Sequence, residues 1–394
     1  MKKGMVLVLS GALVCAALTG CAGKKASGEG ETIKIGAAMC QTGIQAPLDA
    51  PALEGAQLAV DELNAKGGIL GKKVSIQNID GKSDAVTVGD AAKQLISDGA
   101  VAIMTPSDFD FGGPAAREAQ NNGLVGISPC ASSPLFGSKA LGDKQFTLSM
   151  WNTTMGAAMA DKAIDEGYKS CYIVTDTFID YTKSLSKYFG ESFADQGGKV
   201  LREDKFEQGK LDPAVFLARY KSFAEKPDFI YISSYMPDLG TLIRAFREAG
   251  IDVPIYGGDA YDDPALAQAL GKEYANNIVF DTHSFLSDEA VDGYTDFAAA
   301  YKKKFNKDLD APWAMAGYDA IMVLAQSMEK AGSTEGAAVA KAMEEGTFTC
   351  LTGKLDWSDA AGGHEPNKAA CIVELKDATP TFVTWATPRK IPAP

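Results

Sequence analysis

Short apolar runs alternate with longer amphipathic stretches along most of the chain, beginning at residue 32. The short β-branched runs are typical of buried strands, and stretches with apolar residues three and four positions apart are typical of helices. In the first part of the chain they predict strands at 32–39, 74–79, 101–105 and 124–128, and helices at 52–66, 84–98 and 112–122. Such alternation indicates a parallel sheet flanked by helices.

The same pattern then begins again. It predicts strands at 170–175, 199–206, 229–233, 253–257 and 277–281, and helices at 154–166, 181–196, 213–224, 237–249 and 264–270. Two consecutive doubly wound units predict an α/β protein with two parallel-sheet lobes. Ligands of such sheets bind beyond the carboxyl ends of the strands.

After residue 282 the chain is predicted to be helical, over 288–305, 312–330 and 334–345. These helices are too many for the second lobe alone, so some are expected to return to the first. Runs at 351–357 and 371–375 predict a terminal hairpin. The expected organisation is a first lobe of 32–150 plus about 282–348, and a second lobe of 151–281 plus about 349–394.

The first thirty residues are typical of a targeting segment. Lys2 and Lys3 precede an uncharged run at 5–18, which is too short to span a bilayer but suits a secretion signal. The run ends in Leu18-Thr19-Gly20-Cys21, which resembles the lipobox of bacterial lipoproteins. The resemblance implies a signal peptide at 1–20, a lipid on Cys21 and a flexible tether at 21–31. An ordinary secretion signal with an incidental cysteine is the alternative.

The composition of the chain argues against some classes of partner and metal site. The formal charge of −13 and the pI near 4.8 argue against nucleic acid as a partner, because phosphate contacts depend on clustered Lys and Arg. The seven cysteines are widely spaced without a C-x-x-C motif, which disfavours a zinc cluster. Export permits disulfides, and Cys350 and Cys371 flank the predicted hairpin, so they are the predicted pair.

Motifs for catalysis are missing. Gly81-Lys82-Ser83 fails as a phosphate-binding loop because Ile76 stands where its first glycine belongs. The sequence has no G-x-S-x-G and no H-E-x-x-H, and its two histidines, His283 and His364, are expected to be structural. We therefore predict no catalytic residue, metal or cofactor. A cysteine-dependent activity at Cys40 or Cys130 and an extracellular enzyme are the minor alternatives.

Several segments resemble the branched-chain amino-acid-binding proteins, the type I periplasmic binding proteins of ABC transporters. They are Thr42-Gly43, residues 53–69 (LEGAQLAVDELNAKGGI), 127–134 (ISPCASSP) and 180–185 (DYTKSL). The similarity runs in consistent order from about residue 32 to 385. It implies two lobes joined by a three-segment hinge and a monomer that delivers an amino-acid-like solute, preferably branched-chain or otherwise apolar, to a membrane permease.

The resemblance also implies a binding site. Cys130 would supply a carbonyl and Ser132 an N–H and a hydroxyl, with Ala131 between them, while Asp259 would pair with the ligand ammonium. The walls would come from residues of both lobes: Leu48, Tyr181, Tyr235 and Trp313. The alternatives are a helix cap or turn acid for Asp259, and packing aromatics for the tyrosines.

The turn after the third strand departs from the family. Family members have a serine-rich turn that donates to the ligand carboxylate, whereas residues 105–111 here read TPSDFDF. Either Ser107 or Phe109 takes the donor position. Asp108 and Asp110 place negative charge beside the expected site of the ligand carboxylate, where like charges repel. Two alternatives follow: the acids point to solvent, or the ligand lacks a carboxylate. The alternative function is a sensory or regulatory module for an amide, urea or aromatic acid.

Overall fold

The computed structural model describes residues 32–357 and 363–394, and the predicted signal peptide, Cys21 and the tether lie outside them. The strands are, in chain order, β1 (Ile33–Ala37), β2 (Val74–Asn78), β3 (Ala102–Met104), β4 (Val125–Ser128), β5 (Gln145–Thr147), β6 (Ser170–Asp176), β7 (Lys199–Phe206), β8 (Phe229–Ser233), β9 (Ile255–Gly257), β10 (Ile278–Thr282), β11 (Thr347–Cys350), β12 (Gly353–Asp356), β13 (Ala370–Lys376) and β14 (Thr379–Ala386).

The α-helices are, in chain order, α1 (Ala46–Ala65), α2 (Ala85–Ser97), α3 (Phe109–Asn121), α4 (Ser138–Leu141), α5 (Asn152–Asp165), α6 (Asp180–Asp195), α7 (Pro213–Ser222), α8 (Asp238–Glu248), α9 (Pro264–Tyr274), α10 (Tyr294–Phe305), α11 (Trp313–Ala331) and α12 (Gly336–Glu344). None of the helices in the described ranges combines the length and the apolar character that a membrane crossing requires.

Two sheets form the centres of two lobes, which confirms the predicted α/β class. Lobe one has a parallel sheet in the order β2-β1-β3-β4-β5. Lobe two has the order β14-β13-β10-β9-β8-β6-β7, in which only β13 runs opposite to the other strands. Helices cover both faces of the central parallel strands, so strands such as β3 and β8 consist of almost continuous apolar residues, which is why the pattern located them.

A late helix returns to lobe one. Helix α11 packs along α1 with their backbones in contact at two glycines. A Cβ at Gly55 would lie 1.7 Å from the carbonyl oxygen of Ala314, and a Cβ at Gly317 would lie 1.8 Å from that of Ala52. No larger residue fits at either position, so the close approach of the two helices depends on glycine.

The predicted terminal hairpin is wrong. Strand β11 pairs with β12 across a tight turn in which Gly353 has a φ of 99°, whereas β13 pairs with β10 and β14. Phe348, Leu355 and Trp357 lie in the core of lobe one, and the Trp357 ring contacts that of Phe146 at 5.1 Å. Residues 349–357 therefore pack on lobe one and not, as expected, on lobe two.

The predicted disulfide between Cys350 and Cys371 is also absent. All five cysteines in the described part of the chain are free thiols. Cys350 packs against the core of lobe one, while Cys371 is buried in the core of lobe two. The strands that carry them pair with different partners, and this places the two thiols in different lobes.

The chain passes between the lobes after β5, after β10 and before β13, and a buried polar network joins these crossings. The Lys368 ammonium donates to the carbonyl of Leu148 at 2.9 Å and to Thr352 Oγ1 at 2.8 Å. Thr352 Oγ1 in turn donates to Asp319 Oδ2 at 2.7 Å, and Ser284 Oγ donates to the carbonyl of residue 351 at 3.1 Å. These hydrogen bonds fix the positions of the three hinge segments relative to one another.

Candidate functional site

The turn after β3 is fixed by a buried acid on α1. Asp49 accepts from the backbone N–H of Cys40 at 2.8 Å and from that of Ser107 at 2.9 Å. Its burial raises the pKa of the carboxyl to about 6. Because Asp49 holds the loop after β1 and the turn after β3 together, it sets the direction of Ser107. The Ser107 hydroxyl is buried and has no partner among the described residues.

Asp108 follows in the same turn and connects the two lobes. Its Oδ2 accepts from the Gln45 amide at 2.6 Å within lobe one and from the Tyr235 hydroxyl of lobe two at 2.8 Å. The side chain is buried rather than directed to solvent. Burial raises the pKa of Asp108 to about 7, and the charges of Asp259 and Asp110 add to this effect. Asp108 thus contributes a carboxyl group where the lobes meet.

Lobe two contributes a second acid opposite the first. Asp259 opens a short 3-10 turn, Asp259–Tyr261, directly after β9, and its Oδ2 lies 2.8 Å from Nε2 of His283, which follows β10. Burial lowers the pKa of His283, so the ring is neutral. Since a carboxylate only accepts, Nε2 carries the proton and Nδ1 is an acceptor. Asp259 Oδ1 and His283 Nδ1 are buried without partners among the described residues.

A third acid lies under the glycine pair that precedes Asp259. Both carboxyl oxygens of Asp281 in β10 are buried and unpartnered within the described ranges, and burial raises its pKa well above the usual value. A Cβ at Gly258 would lie 2.8 Å from the Tyr181 hydroxyl and 3.4 Å from Asp281 Oδ1. A side chain at position 258 would therefore collide with the Tyr181 hydroxyl, whereas glycine leaves room for it.

Aromatic side chains form the walls of this site. The rings of Tyr181 and Tyr235 are 5.2 Å apart between centroids, and the Tyr181 hydroxyl accepts from the backbone N–H of Ala260 at 3.2 Å. The Trp313 ring lies 5.5 Å from His283 in an edge arrangement. Leu48 belongs to the same buried cluster. The walls therefore come from both lobes.

The space between these walls is small. A cavity of about 50 Å³ is lined by Ile44, Pro47, Leu48, Tyr235, Met236, Ala260, Asp263, Pro264 and Trp313. Cavities of about 150 Å³ hold a benzene molecule. A whole amino acid does not fit in a third of that volume, so this cavity as it stands accommodates only part of such a solute.

Most residues that the sequence placed in the site come together in the structure. Leu48, Cys130, Tyr181, Tyr235 and Trp313 share one buried cluster. Ser107 and Asp259 adjoin it through the contacts above, and Ser132 is buried in the turn after β4, where its carbonyl accepts from Asn152 at 2.7 Å. Their roles toward a ligand stay predictions.

Phe109 and Ala131 lie elsewhere. Ala131 packs in a separate cluster of lobe one, and Phe109 packs against it half-buried, with the Arg117 guanidinium 5.7 Å from its ring. The Phe109 backbone lies between Asp108 and Asp110, which both contact lobe two, so the two alternatives for the donor position stay predictions. The Phe109 side chain points away because it begins α3 on the helix face that covers this cluster.

Sequence reasoning missed two polar residues of the site, Gln45 and His283. Gln45 Oε1 is buried without a partner in the described residues. His283 had a usable signal, since it directly follows a strand whose carboxyl end faces the cleft. His364, by contrast, is structural as expected, because it stacks on Phe146 at 4.2 Å in the core of lobe one.

The comparisons with known proteins agree with this geometry. The family model described as periplasmic binding protein matches residues 32–380. The chain belongs to this family.

Relatives of this periplasmic binding protein cover three quarters of its length or more. The Leu/Ile/Val-binding protein BraC3 of Rhizobium johnstonii is 29% identical over 77% of the chain and 83% of the relative. A leucine-, isoleucine-, valine-, threonine- and alanine-binding protein of Pseudomonas aeruginosa is 26% identical over 90% of the chain and 92% of the relative. The branched-chain amino acid transporter substrate-binding protein LivJ of Streptococcus pneumoniae, solved with isoleucine, is 25% identical, with a TM-score of 0.81 over 91% of the chain and all of that structure.

Proposed function

We propose that this periplasmic binding protein takes up an amino-acid-like solute between its lobes and delivers it to the permease of an ABC importer. The observation that carries the proposal is a set of buried polar atoms without partners among the described residues, supplied by both lobes. They are Gln45 Oε1, Ser107 Oγ, Asp259 Oδ1 and His283 Nδ1. Unpartnered buried groups are costly, so their concentration at one interface favours a polar ligand there.

The two lobes suit the two ends of an amino acid. The hydroxyl group of Ser107 in lobe one is a donor for a carboxylate, and Ser132 follows in the adjacent turn. Asp259 of lobe two is an acceptor for the ammonium, with the neutral His283 ring beside it. Hydrogen-bond donors on lobe one and an acceptor on lobe two favour closing of the cleft around the solute, because only a closed cleft satisfies both of its ends.

The relatives support this class of solute. Two of them are named for binding leucine, isoleucine and valine, and one structure contains isoleucine. In this chain Leu48, Tyr235 and Trp313 line the small apolar cavity at the cleft and would contact the carbon atoms of a side chain. Apolar contacts with a few placed polar groups are typical of small-molecule sites.

The proposal includes export and anchoring. Leu18-Thr19-Gly20-Cys21 supports cleavage before Cys21 and lipid attachment to it, with residues 21–31 as the tether. A monomer held at the outer face of the membrane would remain close to its permease.

Thermal-shift and calorimetric screens of the mature protein test the function. A solute present at one hundred times its dissociation constant should add about 2.7 kcal/mol to the free energy of unfolding. Mass spectrometry of the solute after incubation should recover it unchanged. A screen of amino acids, amides and aromatic acids that yields turnover, or no stabilisation by any amino acid, would contradict the proposal.

A further inference from the structure

Two buried acids face the site without a cation to balance them. Asp108 is 3% exposed and Asp259 is 5% exposed. Asp108 receives two neutral donors, the Gln45 amide and the Tyr235 hydroxyl, and Asp259 receives the neutral ring of His283. No Lys or Arg of the described ranges forms an ion pair with either acid. A buried carboxylate needs an opposite charge or must take up a proton, because water no longer solvates it.

The unpartnered atoms of the site are mainly acceptors. The Gln45 amide nitrogen donates to Asp108 Oδ2, which leaves Gln45 Oε1 as a buried acceptor. Asp259 Oδ1 and His283 Nδ1 are acceptors as well. Hydroxyl groups can donate or accept, so they do not change the excess of unpartnered acceptors over donors. The ligand that satisfies this set presents several N–H groups.

We propose that the solute carries two cationic nitrogen groups, one at Asp259 and a second, rich in N–H donors, at Asp108 and Gln45. This inference rests on the proposed binding function and specifies its ligand class. The chemistry is that of a basic amino acid, or of a diamine that lacks the carboxylate. The two acids come from opposite lobes, so a solute with a cation at each end joins the lobes as it binds.

The contact between Asp108 and Tyr235 supports this assignment. Tyr235 also lines the apolar cavity with Leu48 and Trp313, so the second acid stands next to a wall suited to methylene groups. Basic side chains have this composition, an aliphatic stem that ends in a charged nitrogen group. Burial raises the pKa of Asp108 to about 7. A bound cation would favour its charged form.

The test compares three groups of compounds by calorimetry on the mature protein. Arginine, lysine and ornithine represent basic amino acids, agmatine, cadaverine and putrescine represent the same cations without a carboxylate, and leucine, isoleucine and valine represent apolar amino acids. We expect at least one dicationic compound to bind more tightly than the apolar set. Asp108→Asn should weaken that compound about thirtyfold or more, since one partner of a buried charge pair is lost.

Asp296→Asn is the matched control. It removes the same charge from an exposed position in the first turn of α10 and should leave the affinity unchanged. If Asp108→Asn does not fold, Gln45→Ala replaces it, and the loss of one acceptor should weaken the dicationic compound about twofold to tenfold. Unchanged affinity in the folded variant overturns the inference.

The outcomes separate this inference from the proposed function. If leucine, isoleucine or valine binds and no dicationic compound does, the inference is overturned and the proposed function stands. If a diamine binds as tightly as its parent amino acid, the inference stands and the carboxylate contact is removed from the proposed function. If none of the nine compounds binds, both are overturned.

Discussion

The buried ammonium of Lys368 is expected to be a main determinant of stability at the hinge. It donates to the carbonyl of Leu148 and to Thr352 Oγ1, and Thr352 links it to the carboxylate of Asp319. Lys368 is 5% exposed and Asp319 2% exposed. Lys368→Met keeps the length of the side chain and removes the charge, so it isolates the electrostatic contribution.

The structure gives the expected size of the effect. Lys368→Met removes two charge-assisted hydrogen bonds and leaves Asp319 as a buried carboxylate without its nearest cation. Breaking a buried pair in this way costs about 3–5 kcal/mol. Asp319 keeps its hydrogen bonds from the backbone N–H groups of residues 351 and 352, which favours the lower end of that range. We expect the free energy of unfolding to fall by about 3 kcal/mol.

Urea unfolding at pH 7, followed by circular dichroism, measures this change. The double variant with Asp319→Asn should lose less than the sum of the two single variants, because it removes both charges of the pair. Lys390→Met is the control, since its ion pair with Asp195 at 2.7 Å is exposed, and such pairs contribute about 1 kcal/mol or less. If Lys368→Met loses no more than Lys390→Met, or if the two hinge substitutions are additive, the charge at position 368 does not stabilise the hinge.

Further predictions concern binding, pH, packing and export. Asp259→Asn should weaken an ammonium-bearing solute about thirtyfold to several thousandfold in calorimetry with the circular dichroism unchanged, whereas normal binding would show that no ammonium is held there. The ligand-free protein should melt at a higher temperature at pH 5.5 than at pH 8, because buried acids such as Asp108 bind more protons in the folded than in the unfolded state. The pKa of Asp108 is about 7 in the folded protein against 3.8 in the unfolded chain. Asp108→Asn should reduce this difference in melting temperature, and an equal difference in the variant would contradict the prediction. Gly317→Ala should lower the melting temperature, since its Cβ would meet the Ala52 carbonyl at 1.8 Å, and an unchanged value would refute the close approach. Cys21→Ala should abolish lipid incorporation measured by mass spectrometry of the membrane fraction, and a variant that keeps the lipid would refute the lipobox.

The sequence alone determined the fold class and the order of most elements. Parallel strands covered by helices on both faces are apolar throughout, so runs such as 229–233 identify them locally. The resemblance of short motifs to the family also located the turns that carry Ser107, Cys130 and Asp259. Each of these turns lies directly after a predicted strand. These are properties of neighbouring residues, which a linear pattern records.

Only the tertiary structure decided which of these residues meet. Strand β13 pairs with β10 rather than with the preceding hairpin, so the predicted disulfide is absent. Tyr235 binds Asp108 across 127 positions of sequence, and His283 lies against Asp259 across 24. The first contact is set by how the two lobes meet at the hinge, and the second by the pairing of β9 with β10 within lobe two. A local pattern of apolar and polar residues carries no signal for such distant contacts, because burial and charge balance depend on the whole fold.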